Sequence, residues 1–405
     1  MVRKLRINFT LWTTNPSGGV RHILEVANSL TQRGHKVTIT SLGGDHSWFP
    51  FKPSVNYVKP PGWLKLVEPA VKLIKKRSIR YSDIDEVTKL LRLNINVDLV
   101  KPLAEAIPQC DVNVATFCLT VPAVYRCGKG KGFYYIQHYE PALFEDSGDI
   151  LKAKETYYLP LRKIVTSRWL ERLVYRMTGD KAIARVGIGI NPEVFYPRPM
   201  SKNTKEKVVM AIIRGVKWKN ELDVLKIMNI VAEKIPDIKL LAVGKKEALV
   251  ELAKIVKPEF KIDFPGWAND DLMARLFSLA DVFISTSKFE GGNSPPLEAM
   301  ACGTPVVTYK APWNENFIVN KVNKRNALVA SDINEFAKHV ISLLTDDDLS
   351  RKLKEEGLET AKLHTWDAVT NRVEEAFINS LRTVESSHRL GTKQPIPHPP
   401  IETEK

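Results

Sequence analysis

The stretch KFEGGNSPPLEAMACGTPVV, residues 288–307, puts two carboxylates, a glycine pair and a proline pair into one connection. Glu290 and Glu298 stand eight residues apart. The apolar DVFISTS before them reads as a buried strand, so the loop leaves a strand's carboxyl end. Pro295 and Pro296 suit the first turn of a helix, where a missing N–H costs nothing. Ser294 then reads as the N-cap, Glu298 falls in the same first turn, and Gly303 ends the helix after Cys302. Gly291, Gly292, Asn293 and Ser294 become a loop at a helix N-terminus. Free backbone N–H groups and the positive dipole end suit anions and hydroxyls there. Glycine lets a ligand approach the backbone closely. Glu298 could accept two hydrogen bonds from a vicinal diol such as a ribose. The plainer alternative is an ordinary strand–loop–helix with a solvated glutamate.

Three other places carry comparable residues. Arg214 and Lys219, five apart, follow the apolar VVMAII, with Lys217 a close competitor. Gly18 and Gly19 end the turn-forming TTNPSGG just before a helical pattern. His138 and Glu140 lie just past the strand-like FYYIQ. Each has a bland reading as well: solvated cations, a tight connection, and packed polar residues.

The elements that must position these residues alternate between strand and helix. LRINFTLW (5–12), a helix from Val20 to Gly34 and KVTITSL (36–42) form a βαβ unit, the seed of a parallel sheet. Further strands are predicted at 55–59, 111–117, 133–137, 163–166 and 181–185. A Gly-, Pro- and Lys-rich stretch, 187–207, breaks the pattern. A second series follows: strands at 208–213, 238–244, 260–264, 281–286 and 304–309, and helices near 219–234, 246–255, 269–280 and 295–302. The predicted fold is α/β, with two doubly wound sheets facing across a cleft. The expected divisions are an N-terminal domain (1–190), a linker (191–207), a C-terminal domain (208–365), a helix (366–385) free to return to the N-terminal domain, and a disordered tail (386–405).

Composition narrows the class. The chain has 405 residues, 44% hydrophobic and 26% charged, which suits a globular protein of two domains. The net charge of +14 favours anionic partners without choosing among them. No interleaved aromatic and basic stripe or zinc spacing supports nucleic acid as the partner. The four cysteines form no C-x-x-C pair and read as reduced thiols of a cytoplasmic protein. The N-terminus lacks a signal-peptide run, and no stretch reaches a membrane span. WLKLVEPAVKLIKKRSIR (63–80) reads either as a basic amphipathic helix on an anionic inner membrane face or as a helix packed on its own domain. Asp83 and Asp85 form a D-x-D that follows this basic segment rather than a strand end, and Asp346–Asp348 read as a helix start.

E-G-x-x-x-P-P-L-E-A-M-A-C-G-T-P-V-V resembles the E-x7-E signature of retaining glycosyltransferases of the GT-B fold, especially glycosyltransferase family four. NPSGGVRHILEVANSLTQRGHKVTI, GIGINPEVFYP, RGVKWKN and WANDDLMARLFSLADVFISTS resemble further family segments. The segment 60–95 and residues 310–405 match poorly. The resemblance implies two Rossmann-like domains and transfer of a sugar, with retention, from a nucleotide diphosphate to a hydroxyl of a glycan or lipid-linked acceptor. It implies Glu298 on the ribose, Glu290 and His138 on the donor sugar, and Arg214 and Lys219 on the diphosphate. Gly18, Gly19 and the loop Gly291–Ser294 would contact the donor. The loop departs from the family's G-F-G-L, which leaves the sugar open. No metal or other cofactor is expected, because two fixed cations can stabilise the leaving phosphate. Other readings are a silent subunit of the same fold, a sugar-nucleotide epimerase and, from the charge alone, a nucleic-acid-binding protein.

Overall fold

A computed structural model describes residues 3–59, 99–200, 206–318, 320–321 and 324–389. The segment 63–80, Asp83, Asp85 and the tail from 390 onward lie outside the described residues.

The N-terminal half forms a seven-stranded sheet. Its strands are β1 (Arg6–Leu11), β2 (Lys36–Ser41), β3 (Ser54–Tyr57), β4 (Val112–Ala115), β5 (Lys131–Ile136), β6 (Arg162–Val165) and β7 (Ala184–Arg185). They lie in the order β3-β2-β1-β4-β5-β6-β7, and every recorded pairing is parallel. Buried parallel strands need apolar residues on both faces. β1 meets this on one face only: it is buried from Ile7 to Leu11, with Ile7, Phe9 and Leu11 apolar on one face and Asn8 and Thr10 on the other, where Asn8 is satisfied by Asn113 and Thr40. Helix α1 (Gly18–Gln32) crosses from β1 to β2. The Ser17 hydroxyl accepts the Val20 N–H at its start. Gly34 follows its end at φ 87°, where a side chain would be strained.

The C-terminal half repeats the plan. β8 (Lys207–Ile213), β9 (Ile238–Gly244), β10 (Lys261–Gly266), β11 (Val282–Ser285), β12 (Val306–Tyr309) and β15 (Leu328–Ala330) give the order β10-β9-β8-β11-β12-β15, while β13 (Asn320–Lys321) and β14 (Lys324–Arg325) form a separate antiparallel pair. In both sheets the chain reverses its direction of growth beside the first strand, between β1 and β4 and between β8 and β11. Such switch points open crevices at the carboxyl ends of strands.

Several expected elements shift for local reasons. The helix expected near 219–234 begins at Leu222, because Lys217–Lys219 form a 3-10 turn and Asn220 adopts φ 51°. β10 extends through Pro265 to Gly266 with a register break after Asp263, which an edge strand tolerates. The 181–185 strand shrinks to two residues at the sheet edge.

After β15 the chain is helical. Asp332 and Asp346 cap helices 333–345 and 347–363 with side-chain bonds to Glu335 N and Leu349 N. The backbone then meets the linker, Ile190 N donating to His364 O and Trp366 N to Ile190 O. The last helix, Trp366–Arg389, continues past residue 386, where a tail was expected. It packs back on the N-terminal half. Val369, Val373 and Phe377 join Phe9, Ile23 and Phe133 in one cluster, and Glu374 bonds Arg33 (2.7 Å) and His35 (2.8 Å).

This return helix is integral to the first core. Phe377 is fully buried against Phe9 and Phe133. Phe377→Ala is expected to cost about 3–5 kcal/mol, read as a lowered midpoint in denaturant unfolding.

Candidate active site between the two sheets

The two halves meet at the carboxyl ends of their strands. The loop after β11 touches the residues after β5. A Cβ placed on Gly291 would lie 1.5 Å from Gln137 O, and one on Gly292 would lie 2.5 Å from Ile188 Cγ2. Neither glycine has a positive φ. Their lack of a side chain is thus required first by the protein's own close approach, a correction to the expectation that it serves a ligand alone. Gly18 and Gly19 differ. A Cβ at Gly18 would meet nothing within 4 Å, and one at Gly19 would only touch the Gln137 side chain at 3.6 Å. Space remains beside that helix start.

Helix α9 (Ser294–Ala301) begins one residue earlier than expected. (Helices are numbered in chain order through the described residues.) Asn293 is the N-cap position, but its side chain turns inward and donates to Ser285 Oγ at 2.8 Å. Ser294 is therefore the first helical residue, not the cap, and Glu298 falls in the second turn. Pro295 and Pro296 occupy the first turn, and Gly303 follows the end at φ 74°.

Three of the expected side chains converge. Lys219 Nζ pairs with Glu290 Oε1 at 2.5 Å, and Ser287 Oγ donates to the same oxygen at 2.8 Å. His138 faces this pair from the other half. Its Nδ1 lies 3.1 Å from Tyr139 O; a carbonyl only accepts, so Nδ1 carries the proton. Nε2 is then a buried acceptor with no partner. Burial lowers the His138 pKa and Lys219 works in the same direction, while Glu290 and the Tyr139 carbonyl oppose them. Burial thus favours the neutral imidazole. Phe289 wedges between the halves, its ring centroid 5.1 Å from His138 and 5.5 Å from Trp169.

Lys217, the competitor of Lys219, points away. Its side chain is 90% exposed and pairs with Glu145 of the other half at 2.9 Å. Glu140 does not face a substrate, contrary to one expectation. It is buried, accepts the Cys118 N–H at 2.6 Å and bonds the Tyr134 hydroxyl. Tyr157, which bonds Glu140 N, also donates to His138 O at 3.2 Å. This network holds the His138 loop from behind.

The second cluster lies at Glu298 and Arg214. Burial raises the Glu298 pKa; Asp270 adds to this, and Arg21, Arg214 and Lys219 oppose it. The Arg214 guanidinium lies over the Trp267 ring at 5.7 Å and makes no hydrogen bond to any described residue. Its backbone is fixed by Glu221, whose carboxylate accepts the N–H groups of Arg214 and Gly215, both at 2.7 Å. Sequence reading missed Glu221, Phe289, Arg21 and Asp270. Asp270 lies in the first turn of its helix and Arg21 in the first turn of α1. No local signal marks either.

Among the described residues, no group of three or more His, Cys, Asp or Glu is arranged to hold a metal ion. No helix there is long and apolar enough to cross a membrane.

With the geometry described, comparison with known proteins defines the class. The fold is GT-B. A sucrose-phosphate synthase of Thermosynechococcus elongatus superposes with TM-score 0.70 at 16% identity over 95% of this chain and 100% of that one. Anabaena HepE, solved with UDP and glucose, gives 0.66 at 16% identity over the same shares. Residues 195–360 match the family described as Glycosyl transferases group 1. An uncharacterized glycosyltransferase of Haemophilus influenzae is 24% identical over 85% of this chain and 92% of its own length. The poly(glycerol-phosphate) alpha-glucosyltransferase of Bacillus subtilis is 24% identical over 49% of this chain and 30% of its own. The C-terminal half is thus similar to the glycosyltransferase group 1 model, and these two relatives are named as glycosyltransferases.

Two outcomes test this geometry. Gly291→Ala should push Gln137 away and separate His138 from Glu290, so a fluorescence distance across the interface should lengthen while the melting temperature changes little. Burial pushes the Glu140 carboxyl up to about 8 from 4.5. Its contribution to stability is therefore fully present below 4.5 and is lost as pH rises through 8. Thermal denaturation of Glu140→Gln should lack the part of this decline that wild type shows between pH 5 and 8.5, a difference of a few degrees.

Proposed function

We propose that this protein is a retaining glycosyltransferase that moves a sugar from a nucleotide diphosphate to a hydroxyl of a glycan or lipid-linked acceptor. One observation carries the reading: the unpartnered, neutral His138 Nε2 sits beside the Lys219–Glu290 pair at the meeting of two Rossmann-like sheets.

The residues divide the work by chemistry. The diphosphate lies against Arg214 and Lys219, whose charges oppose the negative charge that builds on the leaving phosphate as the glycosidic bond breaks. These two cations take the part a divalent metal would otherwise play. Lys219 reaches the phosphate by sharing its Glu290 partner. Glu298 accepts from the ribose diol. His138 Nε2 and Glu290 accept from donor-sugar hydroxyls. The loop from Gly291 to Ser294 and the open helix start at Gly18 and Gly19 flank the donor. The leaving phosphate takes the acceptor's proton on the same face of the sugar, which accounts for retention. HepE's complex with UDP and glucose supports a nucleotide diphosphate here. The poly(glycerol-phosphate) substrate in one relative's name and the O-antigen chain in another's support a surface-glycan precursor as acceptor, reached from the cytoplasm.

Slow transfer to water tests the reaction without knowledge of the acceptor. A panel of UDP- and GDP-α-sugars is followed by proton NMR before mutarotation. Release of the α-anomer from one of them is expected; first release of the β-anomer contradicts retention. Arg214→Ala should lower kcat/KM for that donor by about 10²–10³-fold. An interconverted nucleotide sugar with no release would favour an epimerase.

A further inference from the structure

Arg21 stands on helix α1 (Gly18–Gln32) of the N-terminal half, yet its partners lie across the interface. Its two terminal nitrogens bond the two Asp270 oxygens, each at 2.7 Å, a bidentate fork. Asp270 begins the helix Asp270–Leu279 of the C-terminal half. The Arg21 side chain is only 20% exposed, and its guanidinium packs 5.8 Å from the Phe195 ring of the linker. Glu25, one turn along α1, lies 3.7 Å away.

We propose that Arg21 is a positioning residue that ties nucleotide binding to domain closure: reaching across to Asp270, it brings its charge to Glu298 only while the two halves are together. The proposal rests on Glu298 being the nucleotide's anchor.

The charges explain the coupling. Glu298 and Asp270 belong to the same half and repel each other. Burial works against the Arg21 charge, yet Glu298, Asp270 and Glu25 together hold its pKa above the ordinary value. Glu25 is pushed up to about 7, first by burial and then by Asp270 and Glu298. Arg21 is the cation these three carboxylates have in common, while Glu298 also feels Arg214 and Lys219 of its own half. When the halves part, Arg21 and Glu25 leave with the N-terminal half, and Glu298 keeps Asp270 as neighbour without that countercharge. A ribose that needs an ionised Glu298 then binds the closed form better, and by linkage its binding favours closure.

Two further ion pairs bridge the halves and serve as controls. Arg172 forms an equally good fork with Glu315, at 2.8 and 2.7 Å, and Lys217 meets Glu145. Neither reaches Glu298.

The test measures UDP and GDP affinity by calorimetry, and nucleotide-induced compaction by small-angle scattering, in the full-length protein. Wild type, Arg21→Ala, Arg21→Lys, Asp270→Ala and Arg172→Ala are compared after thermal melts confirm folding. For the nucleotide that binds wild type, Arg21→Ala and Asp270→Ala should each weaken affinity about tenfold and abolish the compaction. Arg21→Lys should recover part of both, and Arg172→Ala should stay within about twofold of wild type. Equal losses in Arg21→Ala and Arg172→Ala would overturn the proposal, since any bridging pair would then do. So would wild-type coupling in Asp270→Ala beside loss in Arg21→Ala, which would mean direct contact with the nucleotide. If wild type binds neither nucleotide, dTDP and ADP are titrated in the same way; binding of none of the four sinks the functional reading, and the proposal falls with it.

Discussion

The whole site depends on one close approach. The Gly291 backbone lies so near the Gln137 carbonyl that no side chain fits between them. That contact joins the loop after β11 to the loop after β5. It carries Glu290 and Lys219 to within reach of His138, and Phe289 into the aromatic pocket that flanks it. Interiors are packed too tightly for such an arrangement to yield by degrees. A chain with any larger residue at 291 must hold its halves farther apart, and the three polar groups then no longer form one site.

Electrostatics divides this interface into two ends. At the His138 end a single salt bridge, Lys219–Glu290, stands beside a neutral imidazole. At the Glu298 end three carboxylates crowd one arginine. The first end is nearly balanced and offers acceptors to neutral hydroxyls. The second gathers carboxylates of both halves, and the Arg214 guanidinium, which has no hydrogen-bond partner among the described residues, lies close enough to act on Glu298. A diphosphate bridging the two would meet cations in the middle and acceptors on both sides. The Lys217–Glu145 pair, almost wholly in solvent, and the half-exposed Arg172–Glu315 pair contribute little by comparison, because solvent screens them.

Much of this was legible in the sequence, because parallel strands and amphipathic helices announce themselves by period. The alternation of elements and the loop from 288 to 307 marked both sheets and the carboxyl end that matters. What stayed hidden depends on three-dimensional apposition. Arg21 and Asp270 are 249 residues apart and become partners only when the sheets face each other. The glycine pair read as room for a ligand, and the packing shows it is first room for Gln137 and Ile188. Glu140 was a candidate for the acceptor side beside His138; burial and three inward bonds make it a support. The cap expected at Ser294 falls one residue earlier, at Asn293, whose amide bonds Ser285 rather than its own helix. Lys217 was a close competitor of Lys219, and the 3-10 turn sends Lys217 outward and Lys219 into the site.

The central claim is that Glu298 anchors a nucleotide diphosphate beside Arg214 and Lys219 without a metal. The most direct measurement is calorimetric titration of UDP, GDP, dTDP and ADP into wild type and Glu298→Ala, with and without Mg²⁺. The account predicts that one nucleotide binds wild type equally well in both buffers and binds the alanine variant at least tenfold more weakly. Equal binding to both proteins, or binding only with Mg²⁺, would contradict it.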